Sequence, residues 1–242
     1  MIPTAPLDLS LTRAIADALA EAPVRVRMLE TPAGRLWLKR VETLTLRWRL
    51  LKGGGQRSFE KDRDGLHFLG EAGLPVAPIL AEGPDYFVTP DLGVTLRALM
   101  SDTGASDDRR AAFHAAGRAL AALHAQGFSH GRPAVRDLCW DGAEVRFIDM
   151  ERFSPRHQSP RHFAADIFVF VHSVFAAGGG EAELENALTA YRNAGGPLQA
   201  SIALARRLRW IGPVARGLRR LKPHSRDLTA LEPTLAYIAS AR

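Results

Sequence analysis

The chain has 242 residues, of which 46% are apolar and 24% charged, with a formal net charge of +6 that comes almost entirely from arginine. That length fits one large domain or two lobes with a sizeable core, the composition is that of an ordinary globular protein, and the positive balance favours anionic partners such as nucleotide phosphates, anionic lipid or nucleic acid. A single cysteine, Cys139, excludes an intrachain disulfide and a multi-thiolate metal site.

In chain order, residues 1–19 carry Asp8 and Asp17 and no uninterrupted apolar run. No signal peptide is expected there, and no segment approaches the roughly 20 apolar residues of a membrane span. A cytoplasmic location is expected, with peripheral contact at the inner face of the membrane as an option. Residues 10–20 predict a helix capped by Ser10, with Leu11, Ile15 and Leu19 on one face. Residues 24–29 and 35–41 read as strands, and Thr31-Pro32-Ala33-Gly34 between them as a turn, which makes a hairpin. Residues 47–55 are basic and then glycine-rich. Residues 58–70 predict a helix with Phe59, Leu66 and Leu69 inward. Two short apolar runs follow, Ile79-Leu80 and Tyr86-Phe87-Val88. Residues 109–126 form the clearest helix, with Phe113, Ala116, Leu120 and Leu123 as one stripe and Gly127 placed as a C-cap glycine. A loop over 128–142 leads to a strand at 145–148 and an apolar helix over 163–177 around Asp166 and His172. The remainder reads as helices broken at Gly195-Gly196-Pro197, Gly212-Pro213 and Lys222-Pro223. A strand-rich part (about 20–90) is joined near 90–93 to a helical part (about 95–242), which is an α+β arrangement.

Three features carry chemistry. His130-Gly131-Arg132-Pro133-Ala134-Val135-Arg136-Asp137 is followed twelve positions later by Asp149, in Phe147-Ile148-Asp149-Met150-Glu151. Lys39 lies within the apolar run Leu36-Trp37-Leu38-Lys39, where a charge needs a partner, and Asp166 in its apolar helix needs donors for the same reason. In order and spacing these motifs resemble the protein-kinase-like superfamily. The nearest likeness is to its bacterial small-molecule branches, the lipopolysaccharide (Kdo/heptose) kinases and the aminoglycoside phosphotransferases. The likeness covers residues about 24–175. It implies one kinase-like domain over 1–242, with a small strand-rich N-lobe (about 20–90), a hinge (about 88–93) and a larger helical C-lobe (about 94–242). The implied activity is ATP- and Mg²⁺-dependent phosphoryl transfer to a sugar or lipopolysaccharide-core hydroxyl of a small-molecule or lipid-linked sugar acceptor.

Residue by residue, the resemblance makes Lys39 the strand lysine that pairs with the nucleotide phosphates. Its carboxylate partner on the next helix falls at Asp62, with Glu60 as the alternative. Asp is one methylene shorter than the family's Glu at that slot. Phe87-Val88-Thr89-Pro90-Asp91-Leu92 becomes the adenine-binding hinge, with Thr89 and Asp91 beside the nucleotide. Asp149 becomes the metal aspartate, followed here by Met150 and Glu151, and Asp137 fills the second metal-ligand slot. Asp166 matches the helix aspartate that accepts N–H bonds from the catalytic loop. Two departures stand out. The slot of the catalytic base holds Arg132, whose guanidinium stays protonated; it would neutralise charge on the transferred group. A shifted register leaves Asp137 open as a displaced base. There is also no glycine-rich nucleotide loop, because the hairpin turn offers only Gly34, and Gly53-Gly54-Gly55 comes after Lys39. These departures define the alternative, a catalytically impaired pseudokinase acting as a nucleotide-binding regulator or scaffold.

Outside that frame, neither a Walker A pattern nor H-E-x-x-H occurs. His157 and His162 stand in an Arg- and Ser-rich loop, which fits a solvated or phosphate-facing role. Residues 202–222 are basic and contain Trp210, so they could lie on an anionic membrane, grip a phosphorylated substrate or form an Arg-rich helix pair. Trp210 is the sole aromatic there, which disfavours nucleic-acid binding.

Overall fold

The structure, a computed structural model, describes residues 9–41, 55–102, 104, 106–208, 210–219, 222 and 224–241. Of the basic, glycine-rich stretch read at 47–55, all but Gly55 lies outside the described residues, as do Arg209, Arg220, Leu221 and Pro223.

Helix α1 (Leu9–Ala20) places Ile15 and Ala18 against Leu29, Leu38 and Val88. Ser10 sits inside the helix rather than ahead of it. The expected hairpin forms from β1 (Val26–Thr31) and β2 (Gly34–Arg40), with Thr31 opposite Gly34. Gly34 has φ +122°, a value open to glycine because it lacks a Cβ. Helix α2 (Gly55–Glu71) follows, then β3 (Ala81–Glu82) and β4 (Tyr86–Pro90). The strands make an antiparallel sheet in the order β1-β2-β4-β3. Successive residues of a strand face opposite ways. Val88 thus packs under α1, while the Phe87 ring lies 5.4 Å from that of Phe59 on α2.

Beyond Pro90 the chain enters β5 (Val94–Thr95), α3 (Leu96–Ser101) and α4 (Ser106–Ala125). Phe113, Ala116, Leu120 and Leu123 are all buried, as their spacing predicts. Strand β6 (Leu138–Trp140) occupies part of the stretch read as loop and pairs with β5 and with β7 (Val145–Phe147) in a second antiparallel sheet. Three residues are too few for an alternation to show in sequence. Pairing supplies what pattern could not: Leu138 lies opposite Phe147 and Trp140 opposite Val145. Phe147 also bonds Pro75 and Ala77 through its backbone, tying the segment after α2 to this sheet.

The rest is helical: α5 (Pro160–Ala176), α6 (Glu181–Asn193), α7 (Gln199–Leu208), α8 (Ile211–Arg219) and α9 (Arg226–Ser240). Helices α4 and α6 touch backbone to backbone, since a Cβ on Gly117 would come 2.0 Å from the Ala187 carbonyl oxygen. The break read at Gly212-Pro213 falls earlier, between α7 and α8. Gly212 and Pro213 belong to the first turn of α8, where proline's missing N–H costs nothing. In the basic 202–222 segment, Arg206 bonds the Ala239 carbonyl and Arg216 pairs with Glu232 at 3.2 Å, so both turn toward α9, while Trp210 is exposed. The molecule is therefore α+β, with a small antiparallel sheet braced by helices joined to a larger helical part. Among the described residues, no helix is long and apolar enough to cross a membrane.

Candidate functional site

Where the two parts meet, a cleft of about 630 Å³ opens between β1, β2 and β4 on one side and the segment 132–151 on the other. This lies within the usual range for small-molecule sites. Trp37, Phe87, Leu92 and Ile148 contribute apolar lining, and Lys39, Asp137 and Asp149 charged lining. Six of the residues singled out from sequence (Lys39, Thr89, Asp91, Arg132, Asp137 and Asp149) line it, and Asp62 lies directly behind Lys39.

Lys39 faces the cleft because its neighbour Leu38 is committed to the α1 side of the sheet. Its Nζ donates to Asp62 Oδ2 at 2.5 Å. Asp62 is fully buried, and its Oδ1 accepts the Met150 N–H at 2.5 Å. Glu60 instead accepts a bond from Gln56, so the structure selects Asp62. The short aspartate reaches because Gly65, one turn further along the same helix, lets α2 sit against Met150. A Cβ at Gly65 would lie 2.8 Å from Met150 Cβ. Gly65→Ala should therefore cost about 1–3 kcal/mol from overpacking, less up to about 1 kcal/mol gained in helix propensity. Urea unfolding measures this; an unchanged or higher midpoint would mean that the contact does not hold the helix.

Burial opposes the charge on Lys39, but the fields of Asp62, Asp149 and Glu151 outweigh it and hold the ammonium above the usual lysine range. Burial likewise pushes the Asp62 carboxyl up, against the pull of Lys39 and the Met150 N–H. We take the pair as ionised, because both Asp62 oxygens accept bonds that favour the anion.

Opposite Lys39 stand the two acids. Arg132 Nη2 lies 3.2 Å from Asp149 Oδ2 and 3.9 Å from Asp137 Oδ2, and Arg136 Nε lies 3.5 Å from Asp137 Oδ1. Burial, and then the charge on Asp149, push the Asp137 carboxyl up to about 6 in spite of Arg132 and Arg136. For Asp149, burial is outweighed by Lys39, by the Glu151 N–H and by Arg132, which together hold it below the usual carboxylate range. One environment thus separates two carboxyls into different protonation behaviour, as active sites commonly do.

The loop that carries Arg132 and Asp137 is fixed from behind. Asp166 on α5 accepts the N–H of His130 at 2.6 Å and that of Gly131 at 2.8 Å, and it lies 3.2 Å from His124 Nε2. Gly131 has φ +89°, and a Cβ there would meet the Arg152 carbonyl oxygen at 2.4 Å, so only glycine fits. The Val135 N–H donates to Ser173 Oγ at 3.0 Å.

Some positions behave differently from the reading. Asp91 is held by Arg35 at 3.0 Å and by the Gly93 N–H and Trp37 Nε1, so its side chain braces the crossing between the two parts. Cys139 lines the cleft, but burial pushes its thiol up to about 12, which leaves no thiolate for nucleophilic chemistry near neutrality. His162 lies within α5 and meets Ser159 Oγ at 2.9 Å. Glu151 reads from sequence only as a departure from the family triplet. Its carboxyl lines the cleft, pairs with Lys39 at 3.4 Å and forms an ion pair with Arg25, which was also missed. The one available signal is its place two residues after Asp149; the structure puts it in a turn, with its N–H donated to Asp149 Oδ1.

Among the described residues, no group of three or more His, Cys, Asp or Glu side chains gathers as a metal cage. Asp137 and Asp149 do present two carboxyls to one space, and Asp137 Oδ2 is buried with no hydrogen-bond partner among the described residues. That donor set fits Mg²⁺, which typically takes one or two protein carboxylates and completes its shell with phosphates and water.

No protein-family model matches the chain. It is 31% identical, over 137 residues, to an uncharacterized protein of Haemophilus influenzae, a stretch that makes up 56% of this chain and 57% of that protein.

Proposed function

We propose that the protein is a phosphotransferase of protein-kinase-like fold that uses ATP with Mg²⁺ and a sugar or lipid-linked sugar hydroxyl as acceptor. The observation that carries this reading is the single cleft in which Lys39, backed by Asp62, faces Asp137 and Asp149. The crossing at 90–93 and the anchoring of the 130–137 loop by Asp166 support the same fold.

Phosphoryl transfer asks a protein for position and charge more than for covalent chemistry. The apolar lining, which includes Trp37 and Leu92, has the character needed for a flat base. Lys39 would pair with the phosphates, held in place by Asp62. Asp137 and Asp149 would hold Mg²⁺, whose charge neutralises the phosphate oxygens. Arg132 stands where the reacting group would lie and adds a permanent cation for the transition state.

The second reading, a pseudokinase, rests on that same Arg132. Its guanidinium lies 3.2 Å from Asp149 and occupies the place of a proton acceptor with a group that cannot accept one.

Thermal unfolding with ATP and Mg²⁺, compared with ATP and EDTA, tests the site. A ligand at about 100 times its Kd adds about 2.7 kcal/mol, or roughly 5–10 °C for a chain of this size. This shift should vanish in Asp149→Ala; an undiminished shift would refute the assignment. Incubation with γ-labelled ATP then separates the readings: hydrolysis or transfer of the label means an enzyme, and binding without turnover means a pseudokinase.

A further inference from the structure

Next to the cleft lies a second concavity of about 330 Å³ that shares Arg132 and Arg136 with it. Arg97 of α3 and Arg226 of α9 complete its rim, over a floor that includes Val135 and Ala176. Asp227 is its one carboxylate, and His172 is occupied by the Asp227 backbone carbonyl. Arg132 and Arg136 already have Asp149 and Asp137 as partners. Arg97 and Arg226 are exposed and form no ion pair among the described residues. Three elements far apart in sequence therefore bring four arginines to the lining of one hollow that has a single opposing charge of its own. Like charges gathered in this way repel one another, and planar guanidinium forks match phosphate and carboxylate oxygens.

We propose that this hollow is the acceptor subsite, and that the acceptor carries a phosphate or carboxylate group held by Arg97, Arg136 and Arg226. The proposal rests on the phosphotransfer reading and narrows it: the acceptor is an anionic compound, and a polycationic one is excluded by the same charges. Arg132, common to both cavities, marks the passage from the anion to the acids at 137 and 149.

The test is calorimetric titration at low salt with inorganic phosphate, glucose 6-phosphate and, as the neutral control, glucose. It is run with and without ATP and Mg²⁺. Wild-type protein should bind both phosphate probes and not glucose. The double variant Arg97→Ala/Arg226→Ala should bind the probes about tenfold more weakly or worse, a loss of about 1.4 kcal/mol, while Arg118→Ala, an exposed arginine on α4, should match the wild type. A parallel sedimentation with phosphatidylglycerol–phosphatidylcholine vesicles identifies the source. Retention lost in the double variant assigns the anion to a lipid-borne acceptor, and binding of the soluble probes alone assigns it to a free one. Equal binding by wild type and double variant, displacement of the probes by ATP, or no binding of probes or vesicles overturns the subsite. The nucleotide-induced thermal shift is read separately, so the failure of the phosphotransfer reading is not confused with the failure of the pocket.

Discussion

Asp166→Ala should lower the thermal midpoint by about 10 °C and remove any nucleotide-induced shift. The Asp166 side chain is fully buried in α5 and accepts two backbone N–H groups from the loop that carries Arg132 and Asp137. Removing it leaves the buried His130 N–H and the part-buried Gly131 N–H without their acceptor, and an unmet buried group costs about 1–3 kcal/mol. With the lost packing and the lost contact to His124, a total of about 3–5 kcal/mol follows, and at 2–4 °C per kcal/mol this gives about 10 °C. Asp166→Asn should fall between, because it keeps one accepting oxygen but points an NH₂ group at the second backbone donor. Ser173→Ala removes the acceptor for the Val135 N–H further along the loop and should cost only about 1 kcal/mol. If Asp166→Ala melted within a degree of wild type, the loop would be held by something other than this residue, and the anchoring that supports the proposed site would fall.

Asp166 was legible from sequence for a physical reason. An acid in an apolar helix must find donors, whatever the fold. Lys39 declared itself in the same way, and the stripe from Phe113 to Leu123 followed from helical period alone. Asp62 was only half legible. Spacing offered Asp62 and Glu60, and a direct ion pair with Lys39 depends on Gly65 meeting Met150, a contact between segments far apart in the chain. Glu151, in a turn after Asp149, and Arg25, just ahead of β1, meet only in the tertiary fold, which no local pattern fixes. Strand β6 is shorter than any periodicity can reveal. Least visible of all was the convergence of Arg97, Arg136 and Arg226. Each reads singly as a solvated arginine, and only tertiary packing gives them a common floor.

Asp137→Asn should act in the opposite direction to Asp166→Ala, making the metal-free protein more stable while weakening its binding of ATP with Mg²⁺. In the folded chain the Asp137 carboxyl titrates at about 6, and in the unfolded chain at about 3.9. As pH rises the unfolded state loses its proton first, so the neutral carboxyl's contribution is fully present below about pH 4 and is lost as pH passes through about 6. The penalty levels off above that at about 3 kcal/mol, because a pKa unit corresponds to about 1.4 kcal/mol. Asparagine has the same shape and does not titrate. Urea midpoints in EDTA should therefore coincide for the two proteins at pH 4 and separate in favour of the variant by pH 8, by up to about 3 kcal/mol. Adding ATP and Mg²⁺ at pH 8 should close or reverse the gap, because the wild-type carboxylate then has a metal to bind through its buried Oδ2, which accepts no hydrogen bond in the protein alone. A group that destabilises the empty protein and is compensated by ligand behaves as a functional carboxylate. Were Asp137→Asn less stable than wild type at pH 8 without metal, Asp137 would be an ordinary structural partner of Arg132 and Arg136, and the metal reading would lose its main physical support.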